Sequence, residues 1–194
     1  MTQRLEDFGL KTPHQTFWVF GYGSLMWNPG FSYHQARPVR AYGYHRAFAM
    51  RSIRHRGTSS RPGLVLALCP GGSCKGHAFE VLPHEAERAC AYLLDREIGT
   101  YAYRPAFVST DLGPALTFLP QKGAAQFVPG LSVEEQARTI AFAEGGMGPN
   151  LDYLTKTIVQ MRHLGLPTHG FEALERMALD IRGRHDSPSP ASCV

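Results

Sequence analysis

Long apolar runs are missing from this sequence. No stretch of 194 residues reaches the ~18 consecutive apolar residues of a membrane-spanning helix. Residues Met1 to Lys11 are polar and carry Glu6 and Asp7, without the apolar core and small-residue cleavage site of a secretory leader. The expectation is a cytoplasmic protein with no membrane partner. Cysteine is scarce too: Cys69, Cys74, Cys90 and Cys193 form no C-x-x-C pair, which argues against a zinc site. In the cytoplasm these thiols are expected to be reduced rather than paired. The nine histidines include no H-E-x-x-H and no pair at helical ligand spacing, so no metal site is expected.

Charge of one sign is also in short supply. Twenty basic against sixteen acidic residues leave a net charge of +4. No long basic stripe with interleaved aromatics is present, which argues against a nucleic-acid partner. Much of the excess sits in Arg51, Arg54, Arg56 and Arg61. Such a cluster suits a small anionic substrate, and equally a solvated basic loop.

What is present begins with Val19-Phe20-Gly21-Tyr22-Gly23-Ser24-Leu25-Met26-Trp27-Asn28-Pro29-Gly30. A short apolar strand runs into a turn with two glycines one residue apart. Glycine lets a ligand approach the main chain closely, and consecutive N–H groups with the Ser24 hydroxyl suit an anion or a carbonyl oxygen. Three familiar loops are excluded. A dinucleotide fingerprint needs glycine at 26, where Met stands. A nucleophile elbow needs glycine at 22 and 26, which are Tyr and Met. No Gly-Lys-Ser/Thr follows for a phosphate loop. A tight strand-end turn without ligand is the plain alternative.

Along the chain, strands are predicted over about 16–21, 37–53, 64–69, 75–82, 101–110 and 115–119. Pro70-Gly71-Gly72-Ser73 reads as the turn of an antiparallel hairpin. A helix opens at Pro83 and runs to about Leu94. Ser132-Val133-Glu134-Glu135 is a capping-box pattern opening a helix to about Glu144. Gly145 to Pro149 breaks it, Asn150 caps a helix to about Leu164, and another covers about Phe171 to Arg184. With 43% hydrophobic and 19% charged residues the body is globular. A single domain is expected over 1–185, with a disordered Ser/Pro-rich tail over 186–194. Strands early and helices late predict an α+β fold on an antiparallel sheet or small barrel.

Glu97 lies where the first long helix gives way to a strand, among Tyr92, Tyr101 and Tyr103. Desolvation there would raise its pKa and make it a base near neutrality. A surface pair with Arg96 or Arg104 is the other reading.

Several segments together resemble the ChaC-type, glutathione-specific γ-glutamylcyclotransferases. They are Phe20 to Phe31, His55-Arg56-Gly57-Thr58 with Pro62-Gly63-Leu64-Val65, and Gly71 to Gly76. Arg96-Glu97 ahead of Tyr103-Arg104-Pro105, Ala115-Leu116-Thr117-Phe118 and Asp152-Tyr153-Leu154 complete the set. The resemblance covers about residues 17–166. It implies a small mixed, mainly antiparallel β-barrel with flanking helices. It also implies cofactor-free cleavage of glutathione to 5-oxoproline and cysteinylglycine, with Glu97 as the catalytic glutamate. Substrate contacts are then expected from Gly21, Tyr22, Gly23, Ser24, Leu25 and Met26. Tyr153 is implied as a hydroxyl contact, and Arg54 and Arg56, with Arg51, are inferred from charge to meet the substrate carboxylates. Cyclotransfer from other γ-glutamyl amino acids or amines, or a non-catalytic binding module on the same fold, are the competing readings. Oligomeric state is not legible in the sequence.

Overall fold

In the computed structural model, which describes residues 4–98 and 102–186, the chain clusters into two compact units. The first holds residues up to Met50 and Leu66–Pro129; the second holds Arg51–Val65 and residues from Gly130 on. Each is taken by itself. The expected tail lies outside the described residues except for Asp186, which ends the last helix instead.

The first unit contains most of a closed five-stranded barrel. Its strands are β1 (Phe17–Gly21), β2 (Ala36–Ser52), β3 (Gly63–Val81), β4 (Tyr103–Thr110) and β5 (Gly113–Pro120), in the order β1-β3-β2-β4-β5. β1 runs antiparallel to β3, with Phe17 opposite Val81 and Gly21 opposite His77. β4 and β5 form an antiparallel hairpin from Tyr103–Pro120 to Thr110–Gly113. The barrel closes by a parallel pairing of β1 with β5, Trp18 opposite Ala115. The expected mixed barrel is therefore present.

The expected hairpin at Pro70–Ser73 is not. Both apolar runs belong to the single strand β3. Its neighbour is β2, and the contacts run in opposite senses: Gln35 bonds Glu80, Arg40 bonds Ser73 and His45 bonds Gly71. Gly71 and Gly72, with φ of +93° and +74°, are absorbed within the strand. The tight-turn residues mark an irregularity in pairing rather than a chain reversal. Burial along β2 changes face part-way. Val39 and Ala41 are buried at odd positions, then Phe48, Met50 and Ser52 at even ones, with the small Ala49 buried among them. Between them Gly43 has a φ of +82°, which only glycine adopts without strain. One extra residue in a strand switches its buried face in this way.

A 3-10 turn at Pro83–Glu85 leads into α1 (Ala86–Ile98), four residues longer than the sequence predicted. Ala86, Ala89, Cys90, Leu93 and Leu94 are buried at helical spacing against Phe17, Val19, Phe79, Val81, Leu116 and Phe118. Leu93 is fully buried, and burying such a side chain stabilises the fold by roughly 1.5–3 kcal/mol.

The second unit is helical: α2 (Val133–Phe142), α3 (Asn150–His163) and α4 (His169–Asp186), with α2 packed against both others. The capping box forms as predicted: Glu135 N donates to Ser132 Oγ at 3.2 Å, and Ser132 N donates to Glu135 Oε2 at 2.8 Å. The Gly145–Pro149 break becomes a minute hairpin, β6 (Glu144–Gly145) with β7 (Gly148–Pro149). Asn150 does not cap α3. Pro149 holds that position, and Asn150 is fully buried in the first turn. Its Oδ1 accepts from Leu64 N at 2.6 Å and its Nδ2 donates to Leu64 O at 2.7 Å.

Candidate active site

The turn after β1 is a 3-10 turn, Ser24–Met26. Met26 N donates to Gly23 O, and Trp27 N and Asn28 N both donate to Ser24 O. Those amides are spent on closing the turn. The N–H groups of Gly23, Ser24 and Leu25 have no acceptor among the described residues. They are the donors the turn can offer a ligand. Gly21 is needed for close packing: a Cβ there would lie 3.1 Å from Leu25 Cβ. The side chains of Tyr22, Leu25 and Met26 are all buried, and of the three it is Leu25 that keeps an unspent amide for a ligand. Tyr22 instead anchors the barrel, its hydroxyl donating to Phe118 O at 2.9 Å. Ser24 is half-buried, and its hydroxyl accepts from Arg96.

Glu97 sits in the last turn of α1 and continues the buried stripe of that helix, four residues after Leu93 and three after Leu94. Its side chain is 19% exposed. Burial pushes its carboxyl above the ordinary glutamate value, and the Arg96 charge beside it pulls only part of the way back. Both sequence readings of Glu97 thus hold in part. The pair with Arg96 exists, Nε to Oε1 at 3.2 Å, but desolvation outweighs it. Of the expected aromatic neighbours, Tyr92 OH accepts from Arg96 at 3.2 Å and Tyr103 OH donates to Leu66 O at 3.1 Å. Tyr101 lies outside the described residues.

Two arginines that the sequence reading did not place in the site hold the turn. Arg46 Nε donates to Tyr22 O at 2.5 Å, and its Nη2 donates to Lys75 O at 2.7 Å and to Met26 Sδ at 3.4 Å. Arg96 Nη2 donates to Ser24 Oγ at 3.0 Å, and its Nη1 donates to Asn28 O at 2.6 Å and Pro29 O at 3.3 Å. Arg46 is a half-buried residue of β2, and its sequence context marks nothing but a polar strand residue. His77 is a third residue the sequence left unassigned. It lies opposite Gly21, and its buried Nδ1 has no hydrogen-bond partner among the described residues. Burial lowers its pKa and so favours the neutral ring.

The second unit holds Arg54, Arg56 and Tyr153. Arg56 is buried. Its Nη1 donates to Met147 O at 2.6 Å and Pro149 O at 3.2 Å, and its guanidinium lies 5.6 Å from the centre of the Tyr153 ring. It pins the β6–β7 hairpin. Arg54 and Arg51 are exposed, and the Arg54 carbonyl accepts from Gly146 N at 2.8 Å.

Residues 17–181 match the family model described as ChaC-like protein. The chain belongs to the ChaC-like family. Among curated relatives, this ChaC-like chain is 33% identical over 162 residues to the glutathione-specific gamma-glutamylcyclotransferase of Escherichia coli, covering 81% of this chain and 70% of that one. It is 34% identical over 175 residues to the glutathione-specific gamma-glutamylcyclotransferase of Schizosaccharomyces pombe, covering 79% and 86%. The crystal structure of a selenomethionine-labelled yeast gamma-glutamyl cyclotransferase specific to glutathione superposes with a TM-score of 0.78 at 21% identity. It covers 89% of this chain and 100% of that one, and shows that the ChaC-like barrel is shared. The family match reaches Ile181, into α4, beyond the stretch that the sequence resemblance covered. Among the described residues no group of His, Cys, Asp and Glu could hold a metal ion, and no helix is long and apolar enough to cross a membrane.

Proposed function

We propose that this ChaC-like chain cleaves glutathione to 5-oxoproline and cysteinylglycine. The α-amine of the glutamyl residue attacks its own γ-carbonyl carbon and closes a five-membered ring. The new C–N bond forms as the amide bond to cysteine breaks. Atoms balance without water, oxidant or added group. Because the nucleophile belongs to the substrate, the protein's task is to hold the glutamyl chain folded, pass protons from the attacking nitrogen to the departing one and stabilise the oxyanion.

The observation that carries this reading is a largely buried carboxylate joined, through one arginine, to a turn with unspent donors. The attacking nitrogen sheds two protons between ammonium and ring amide, and the departing nitrogen gains two as it leaves as ammonium; Glu97 carries them across, as base and then acid. A pKa raised by burial suits both halves of that cycle. The amides of Gly23, Ser24 and Leu25, with the Ser24 hydroxyl, bind the glutamyl end or the developing oxyanion. The expected contacts from Tyr153, Arg54 and Arg56 remain part of the proposal, supported by the Asp-Tyr-Leu match and by positive charge. Arg54 has its side chain in solvent, whereas Arg56 already serves the hairpin. Three buried free cysteines, Cys69, Cys74 and Cys90, fit a reducing cytoplasm, where cell fractionation should find the protein.

The test is incubation with reduced glutathione and mass spectrometry of both products, with Glu97→Gln alongside. Equal amounts of 5-oxoproline and cysteinylglycine from the wild type alone support the reading. No products from glutathione, with turnover of γ-glutamyl amino acids or amines, would move the specificity to those compounds. No turnover of either, with binding retained, would support a binding module.

A further inference from the structure

Arg96 spends its guanidinium on five partners: Glu97 Oε1, Ser24 Oγ, Tyr92 OH and the carbonyls of Asn28 and Pro29. A guanidinium can donate but never accept. Ser24 Oγ therefore accepts from Arg96 and must turn its own proton elsewhere. Among the described residues that proton has no acceptor. The hydroxyl is left as a donor for a ligand, and a donor on an already polarised oxygen is a stronger one. The same guanidinium lies against Glu97 through Nε. Its planar fork fixes the spacing of the two groups in a way that the single flexible ammonium of lysine would not.

We propose that Arg96 is the positioning residue of the site: it commits the Ser24 hydroxyl to donate toward substrate and sets the carboxylate of Glu97 against the turn. The inference rests on the reading of Glu97 and the turn given above. Other titratable groups lie on elements packed against α1: Tyr103 and Arg104 on β4, His77 and Glu80 on β3, Glu6 and Asp7 on the 3-10 turn Leu5–Phe8, and His84 and Glu85 on the preceding 3-10 turn. The charge that acts on Glu97 is nonetheless that of Arg96, which opposes the effect of burial. Without it the carboxylate would protonate more readily, and the base form would be reached only at higher pH.

The experiment measures kcat/KM for glutathione against pH for the wild type, Ser24→Ala, Arg96→Lys, Arg96→Gln and the double variant Ser24→Ala with Arg96→Gln. Three results are expected. Arg96→Gln loses roughly ten-fold or more, as for a lost oxyanion-site donor. Its acidic limb moves toward higher pH, while Arg96→Lys keeps the limb near the wild-type position. The double variant loses less than the product of the two single losses, because both remove one interaction. An unmoved limb with multiplicative losses would overturn the proposal and leave Arg96 a structural residue. Should Arg96→Gln not fold, Arg96→Lys combined with Ser24→Ala carries the same cycle, and multiplicative losses there overturn the proposal equally. Near-normal turnover by Glu97→Gln would instead overturn the underlying role of Glu97, and it is read separately from the cycle.

Discussion

Arg96 Nη2 meets Ser24 Oγ at 3.0 Å although 72 positions of chain separate them. The contact places the end of α1 on the turn after β1. It also brings the carboxylate of the adjacent Glu97 to the same place, because that side chain continues the buried stripe of Leu93 and Leu94.

Replacing Glu97 by Gln should abolish turnover and leave the fold as stable as before, or more so, at pH 7. The sign follows from the raised pKa. The folded state holds the Glu97 proton more tightly than the unfolded chain, so the wild type loses stability as pH rises from the ordinary glutamate value through the folded one. Thermal melts of both proteins should therefore converge on acidification toward the ordinary glutamate value. A variant that melts lower at pH 7 would show that the Arg96 pair, not desolvation, dominates at this position.

Ser24→Ala should reduce kcat roughly ten-fold or more if the hydroxyl serves the oxyanion. Steady-state kinetics with glutathione decide. A rise in KM with kcat unchanged would assign the hydroxyl to ground-state binding of the glutamyl end.

Arg46→Gln should impair activity with a modest effect on stability, since the side chain's recorded bonds go to the turn and to Lys75. Comparing kcat/KM with the melting temperature separates a loosened turn from a damaged barrel. Full activity would mean that the turn holds its shape without Arg46.

Arg54 and Arg56 should part company. Arg54→Ala is expected to raise KM more at low salt than at high salt, as an exposed charge facing an anionic substrate would. Arg56→Ala should lower the melting temperature, because two carbonyls of the β6–β7 hairpin lose a buried donor. A salt-dependent KM effect for Arg56→Ala with an unchanged melting temperature would reverse that division.

Asn150→Ala should destabilise by about 2 kcal/mol or more, since Leu64 N and Leu64 O each lose a partner in the interior. Denaturant titration measures it. A change within experimental error would mean that the strand end re-pairs elsewhere.

Much of the barrel was legible in the sequence. Apolar runs bounded by glycine and proline marked β1, β4 and β5, a capping box marked α2, and the break over Gly145 to Pro149 marked the start of α3. The errors share a cause. Pro70-Gly71-Gly72-Ser73 has the local chemistry of a reversal, yet the long partner strand β2 keeps the chain extended through it. Asn150 has the chemistry of a cap, yet the main chain of Leu64 claims its amide. In both places a distant segment outbid a local preference.

By itself the sequence determined the element types, the glycine turn and the presence of an acidic residue at a helix end, because these depend on neighbours within a few residues. The tertiary structure alone decided that Glu97 is desolvated, that Arg96 and Arg46 hold the turn, and that Arg56 is committed to a hairpin. Burial depends on what packs over a side chain, and a hydrogen bond depends on ångström distances between remote segments. Neither quantity is written in local composition or spacing, and the chemistry proposed for Glu97 depends on both.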